Sequence, residues 1–135
     1  MSGVDMDRED IDQILRDAFE AEASGNIATA ISLFTRAARC GSNDARSKLG
    51  TIYDDVMTPP SPSKAVYWYK SAVKGGDATC AWNLAMHHAR MGRRRGYRYW
   101  LRIAGEMGDA DASVELADNA WWEKHNSGCS SGDTS

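Results

Sequence analysis

Gly41, Gly76 and Gly108 punctuate this sequence at intervals of 35 and 32 residues. Each lies eight residues after the large apolar residue that opens one of three similar hexamers. These are Leu33-Phe34-Thr35-Arg36-Ala37-Ala38, Trp68-Tyr69-Lys70-Ser71-Ala72-Val73 and Trp100-Leu101-Arg102-Ile103-Ala104-Gly105. The segment after each glycine also recurs, as Ala45-x-x-x-Leu49-Gly50-x-x-Tyr53, Cys80-x-x-x-Leu84-Ala85 and Ala112-x-x-x-Leu116-Ala117. A spacing of four puts the small residue and the leucine on one helical face, and the small residue beside the leucine lets a neighbouring helix come close. Self-similarity at this period marks stacked helix pairs, each covering the apolar face of the next. The expected fold is therefore all-α, a solenoid of antiparallel helix pairs.

The pattern predicts seven helices, over residues 7–24, 26–40, 43–57, 63–74, 77–91, 95–107 and 109–124. Gly41, Gly76 and Gly108 stand where a helix end favours a left-handed residue. Asn43, Asp77 and Asp109 are suited to start the next helices. Thr58-Pro59-Pro60-Ser61-Pro62 reads as a loop, with Ser61 or Ser63 as the next N-cap. The elements group into units at 7–41, 42–76 and 77–108 with a capping helix over 109–124. Together they make one helical-repeat domain over 1–125, and the small polar tail 126–135 is expected to be disordered.

A chain of 135 residues suits one domain. Its acidic start, Met1 to Asp12, carries no apolar run of the kind a secretory signal requires, and no stretch approaches the ~20 apolar residues of a membrane span. A soluble cytoplasmic protein is the expectation. Cys40, Cys80 and Cys129 form an odd set without a CxxC pair, which argues against a disulfide framework or structural zinc. Cys40 and Cys80 are expected to be buried thiols and Cys129 a loose tail thiol. The net charge of −3 conceals an asymmetry. Residues 1–25 hold eight acids against Arg8 and Arg16, whereas residues 86–102 hold six arginines and no acid. The two regions should present opposite potentials.

The pattern resembles the Sel-one-like repeat family, a short relative of the tetratricopeptide repeat. Its helix pair reads A-x-x-x-L-G-x-x-Y, a loop, then A-x-x-W-Y-x-x-A-A-x-x-G. Ala45, Leu49, Gly50 and Tyr53 match the first half; Ala65, Trp68, Tyr69, Ala72 and Gly76 match the second, as Ala30, Phe34, Ala37, Ala38 and Gly41 do less fully. The third unit departs from the pattern, with Tyr97 where alanine is usual, Ala85 for glycine and His88 for tyrosine. Its loop, 92–96, is arginine-rich where the family often has glycines. The resemblance implies a scaffold that binds other proteins, with some short members resembling immunity or regulatory partners of toxins and enzymes.

The resemblance also implies that the first helix of each pair lines a concave groove. Counting from the leucine landmarks places Asp44, Ser47, Thr51, Asp54 and Asp55 there, then Thr79, Trp82, Met86, Ala89 and Arg90, then Asp111, Val114, Asp118, Trp121 and Trp122. Trp82, Met86, Arg90, Trp121 and Trp122 are the candidate groove contacts, because large amphipathic side chains dominate binding energy. The competing reading packs the aromatics into the array. Trp121 and Trp122 are adjacent, about 100° apart around a helix, so both are hard to bury. Either they cap the array or one is a contact. Trp68, Tyr69 and Trp100 fall at packing positions.

Arg93, Arg94, Arg95 and Arg98 form a second candidate, a basic patch suited to an acidic partner or to phosphates. It could equally be a solvated turn, or meet the acidic helix 7–24 of another copy in head-to-tail self-association. A monomer is the other expectation. The acidic pI of about 5.6 and the lack of a recognised motif argue against nucleic acid. His87 and His88 point to different faces, no ligand lies at i+4 from either, and no nucleotide or nucleophile motif occurs. No metal, cofactor or catalytic residue is expected. The expected partner is another protein bound by a general adaptor, or a single cognate toxin or enzyme bound by a dedicated inhibitor.

Overall fold

The computed structural model describes residues 3–57 and 59–126, with side chains over 10–57 and 59–125. The expected tail disorder and Cys129 lie outside the described residues. The helices are α1 (Gly3–Ala23), α2 (Ile27–Arg39), α3 (Asn43–Thr51), α4 (Pro62–Lys74), α5 (Ala78–Arg90), α6 (Arg94–Glu106), α7 (Ala110–Asp118) and α8 (Ala120–Asn126). A π-helical turn, Ile52–Val56, extends α3. No strand occurs among the described residues. The chain is an all-α protein of the repeat-solenoid class.

The helix stops come from backbone chemistry. Gly41, Gly76 and Gly108 have φ of 104°, 102° and 105°, the left-handed region that glycine enters without steric cost. After α2, α5 and α6 the same cap recurs: the amides of Ser42, Arg93 and Asp109 return to the carbonyls of Ala37, His88 and Ala104 at 2.8–3.0 Å. Asp77 and Asp109 cap α5 and α7, accepting from the Cys80 and Ala112 amides at 3.1 Å. Ser42, not Asn43, caps α3, accepting from the Ala45 amide at 3.1 Å. Asn43 instead donates from Nδ2 to the last turn of α4, at the Ala72 carbonyl, 3.0 Å away.

Contacts divide the chain after Gly75 into two compact units. In the first, α1 packs on α2, α2 on α3, and α3 on α4. Ile14, Ala18, Phe34, Leu49 and Ile52 form its core, with Trp68 half-buried against them. In the second, α5 packs on α6 and α6 on α7, around Leu84, Tyr97, Leu101 and Ala104. Trp100 is half-buried rather than enclosed. Cys80 is buried as expected, but Cys40 is exposed, because it falls on the C-cap of α2.

Two expected helices are interrupted. The predicted helix 43–57 widens at its end, where the Met57 amide reaches back five residues to the Ile52 carbonyl at 2.9 Å. Asp54 on that turn accepts the Tyr69 hydroxyl at 3.2 Å. The predicted helix 109–124 breaks at Asn119, which has φ 53° and ψ 29°. Asparagine is among the few side chains that tolerate this left-handed conformation.

Candidate protein-interaction site

The break at Asn119 builds a side-chain arrangement that ties α6, α7 and α8 together. Tyr97, fully buried on α6, donates its hydroxyl to Glu115 Oε2 on α7. The same carboxylate oxygen accepts the Trp121 amide at 2.7 Å and so caps the start of α8. Arg98, one residue along α6, donates to Asn119 Oδ1 at 2.9 Å and to the Leu116 carbonyl at 3.4 Å. Burial first, and then the Glu115 hydrogen bond and charge, raise the Tyr97 pKa well above the usual phenol value. Tyr97 therefore remains a hydrogen-bond donor throughout the neutral range.

This junction separates the two adjacent tryptophans. Trp122 turns inward and is only 3% exposed. Its ring lies 5.3 Å from that of Tyr97, and the Arg94 guanidinium sits 5.6 Å over it. Trp121 is half-buried and stacks on His125 with ring centroids 3.9 Å apart and planes 14° apart. Beside that stack opens a cleft of about 410 Å³ lined by Ala89, Arg90, Trp121 and His125.

The nine expected contact residues thus separate by environment. Trp82 and Trp121 are half-buried and Arg90 is exposed. Met86 and Trp122 are buried, Trp122 against Tyr97. Arg93 and Arg95 are exposed. Arg94 and Arg98 are half-buried: one lies over Trp122 and the other holds the α7–α8 junction. In the first unit Asp44 and Asp55 are exposed, whereas Asp54 takes the Tyr69 hydroxyl.

Sequence reasoning missed Glu115, Asn119 and His125. Tyr97 in an alanine position was a visible anomaly, but its partner lies 18 residues away. Asn119 inside a predicted helix was the one local sign of a break, since it is a poor helix former that accepts positive φ. Among the described residues no group of three or more His, Cys, Asp or Glu is placed to hold a metal ion. No helix there is long and apolar enough to cross a membrane.

The Sel1 repeat family model matches residues 21–42, 43–77 and 98–109, which together span just over half of the chain. The stretch it passes over, 78–97, holds Ala85, His88, the Arg93–Arg95 run and Tyr97, where the third unit departs from the repeat pattern. Comparison with curated proteins gives no match. Sel1 repeats generally mediate protein–protein interaction and are typically non-catalytic. The matched stretches, the glycine-ended helix pairs and the close α3–α4 approach agree: this chain belongs to the Sel1 repeat family.

Proposed function

We propose that this chain is a non-catalytic protein-interaction module that holds its partner at the Trp121 cleft on α8. The observation that carries this reading is the division of labour between two adjacent tryptophans. Trp122 spends its ring on the core, while Trp121 leaves part of its own beside an open cleft. Tryptophan and arginine at the rim of a concavity are the residue types that dominate interface energies. The Trp121–His125 stack offers an apolar face and Arg90 a guanidinium, a combination suited to an apolar or aromatic side chain next to a carboxylate. Trp82 and the exposed Arg93 and Arg95 are the further contacts of this reading.

The test is affinity capture with the full chain, wild type against Trp121→Ala, and then titration of the captured protein. Loss of an anchor of this kind should weaken binding by roughly 30-fold or more. One stoichiometric partner whose activity is silenced would make the chain a dedicated inhibitor of a toxin or enzyme. Several weaker partners would make it an adaptor. Capture that Trp121→Ala leaves unchanged removes the cleft from the interaction.

A further inference from the structure

The arginine-rich stretch divides by side-chain direction. Arg94 and Arg98 serve α8 and its junction, whereas Arg95, Tyr99 and Arg102 are all exposed on α6. Spacings of four and three residues place these last three in one row along the helix. Tyr99 is 46% exposed and the Arg102 guanidinium lies 5.6 Å over its ring. No acid lies between residues 86 and 102, and Glu106, exposed four residues after Arg102, is the one acid on α6.

The chain carries a row of opposite sign. On α1, Asp10, Gln13 and Asp17 are exposed, with spacings of three and four, and Glu20 continues the row one turn on. Gln13 donates to Asp17 at 2.9 Å and accepts from the exposed Arg16 at 2.8 Å, so one arginine lies beside the three acids Asp10, Asp17 and Glu20. Run antiparallel, the two rows match in register: Arg95 meets Asp17, Tyr99 meets Gln13 and Arg102 meets Asp10. The outer charges are seven residues apart in both helices, about 10.5 Å at 1.5 Å per residue. Glu20 then falls toward the exposed Arg93. Each row is exposed and so open to a partner.

We propose that the outer row of α6 is a docking surface for α1 of a second copy. The contact joins two different surfaces of the chain, one supplied by α6 and the other by α1 of the second copy. Exposed ion pairs are weak and screened by salt, so the association is concentration-dependent and lost at high ionic strength. Arg93 and Arg95 are shared with the proposed partner contacts but the Trp121 cleft is not, so Trp121→Ala tests the proposed function without touching this inference.

Sedimentation equilibrium of the full chain tests it, in ~10 mM and in ~300 mM salt, where the screening length falls from about 30 Å to below 10 Å. At low salt the average mass should climb with concentration above the 14.8 kDa monomer, and at high salt it should return to the monomer. Arg95→Glu with Arg102→Glu should abolish the rise, as should Asp10→Lys with Asp17→Lys. All four substitutions together should restore it. Lys70→Glu with Lys74→Glu, exposed on α4, changes the net charge as the first pair does and should leave association intact. Circular dichroism of each variant should match the wild type. A wild-type chain that stays monomeric at low salt overturns the proposal and leaves the row to a foreign acidic protein. So does association that survives the α6 reversal, is not restored by the fourfold swap, or is lost equally in the α4 control.

Discussion

Gly50 shows why the repeat needs a glycine beside its leucine. A Cβ built there would sit 2.4 Å from Cδ1 of Tyr69, a distance no packed carbon tolerates. By the repeat pattern, Ala85 stands in the third unit where Gly50 does, and Leu101 where Tyr69 does. All four are buried, so leucine with alanine is a combination the repeat accepts at these positions in place of ring with glycine. Gly50→Ala should therefore destabilise by ~1–3 kcal/mol through overpacking. Tyr69→Leu should also destabilise, because it gives up ring contacts and the hydroxyl bond to Asp54. The double variant should lose less than the sum of the two, and a denaturant double-mutant cycle measures that coupling. Additive losses would mean that the ring moves aside without help from position 69. Leu49→Ala, at a fully buried position, should cost ~2–5 kcal/mol in the same assay.

The elements differ in how far their neighbours can be read from sequence. Helix stops were legible because each depends on one local residue, Gly41, Gly76 or Gly108, whose backbone freedom is a property of glycine itself. The Asp77 and Asp109 caps were legible for the same reason. The α7–α8 junction was not, because its energy is non-local. Glu115 is unremarkable on its own helix and matters only once α6 brings Tyr97 to it. Arg98 likewise reads as one more charge in a basic run until Asn119 Oδ1 lies 2.9 Å from it. The tryptophan pair fell between these cases: the step of about 100° required the rings to separate, but only the break decides which one turns inward. Asn119 is the residue to test. Asn119→Ala forces a β-carbon residue to hold φ near +53°, at ~1–2 kcal/mol, and removes the Arg98 acceptor. Asn119→Gly removes the acceptor but accepts the backbone. Thermal melts monitored by tryptophan fluorescence should rank wild type first, then Asn119→Gly, then Asn119→Ala. Equal melting of the two variants would show that the left-handed backbone is not what holds α8 in place.

Across the whole chain, each compact unit buries one tyrosine against an acid, Tyr69 with Asp54 in the first and Tyr97 with Glu115 in the second. Burial is the larger cause in both, the neighbouring carboxylate adds to it, and both phenols are held protonated well above their usual range. The linkage has a definite sign. In the unfolded chain these tyrosines ionise near pH ~10, while in the folded protein they keep their protons. Above that pH the unfolded state binds fewer protons than the folded one, so stability falls as pH rises. The contribution is whole below pH ~10 and is lost as the pH climbs toward the raised folded values. Urea unfolding at stepped pH should therefore show little change from these groups between pH ~7 and ~9 and a decline above ~10. Tyr69→Phe should make the decline shallower, and adding Tyr97→Phe shallower again, because phenylalanine has no proton to release. Both variants should start from lower stability at neutral pH, since Asp54 and Glu115 each lose a donor. An alkaline slope identical in wild type and double variant would place the titrating groups elsewhere, and the two buried phenols would then be packing residues whose hydroxyls carry no pH dependence.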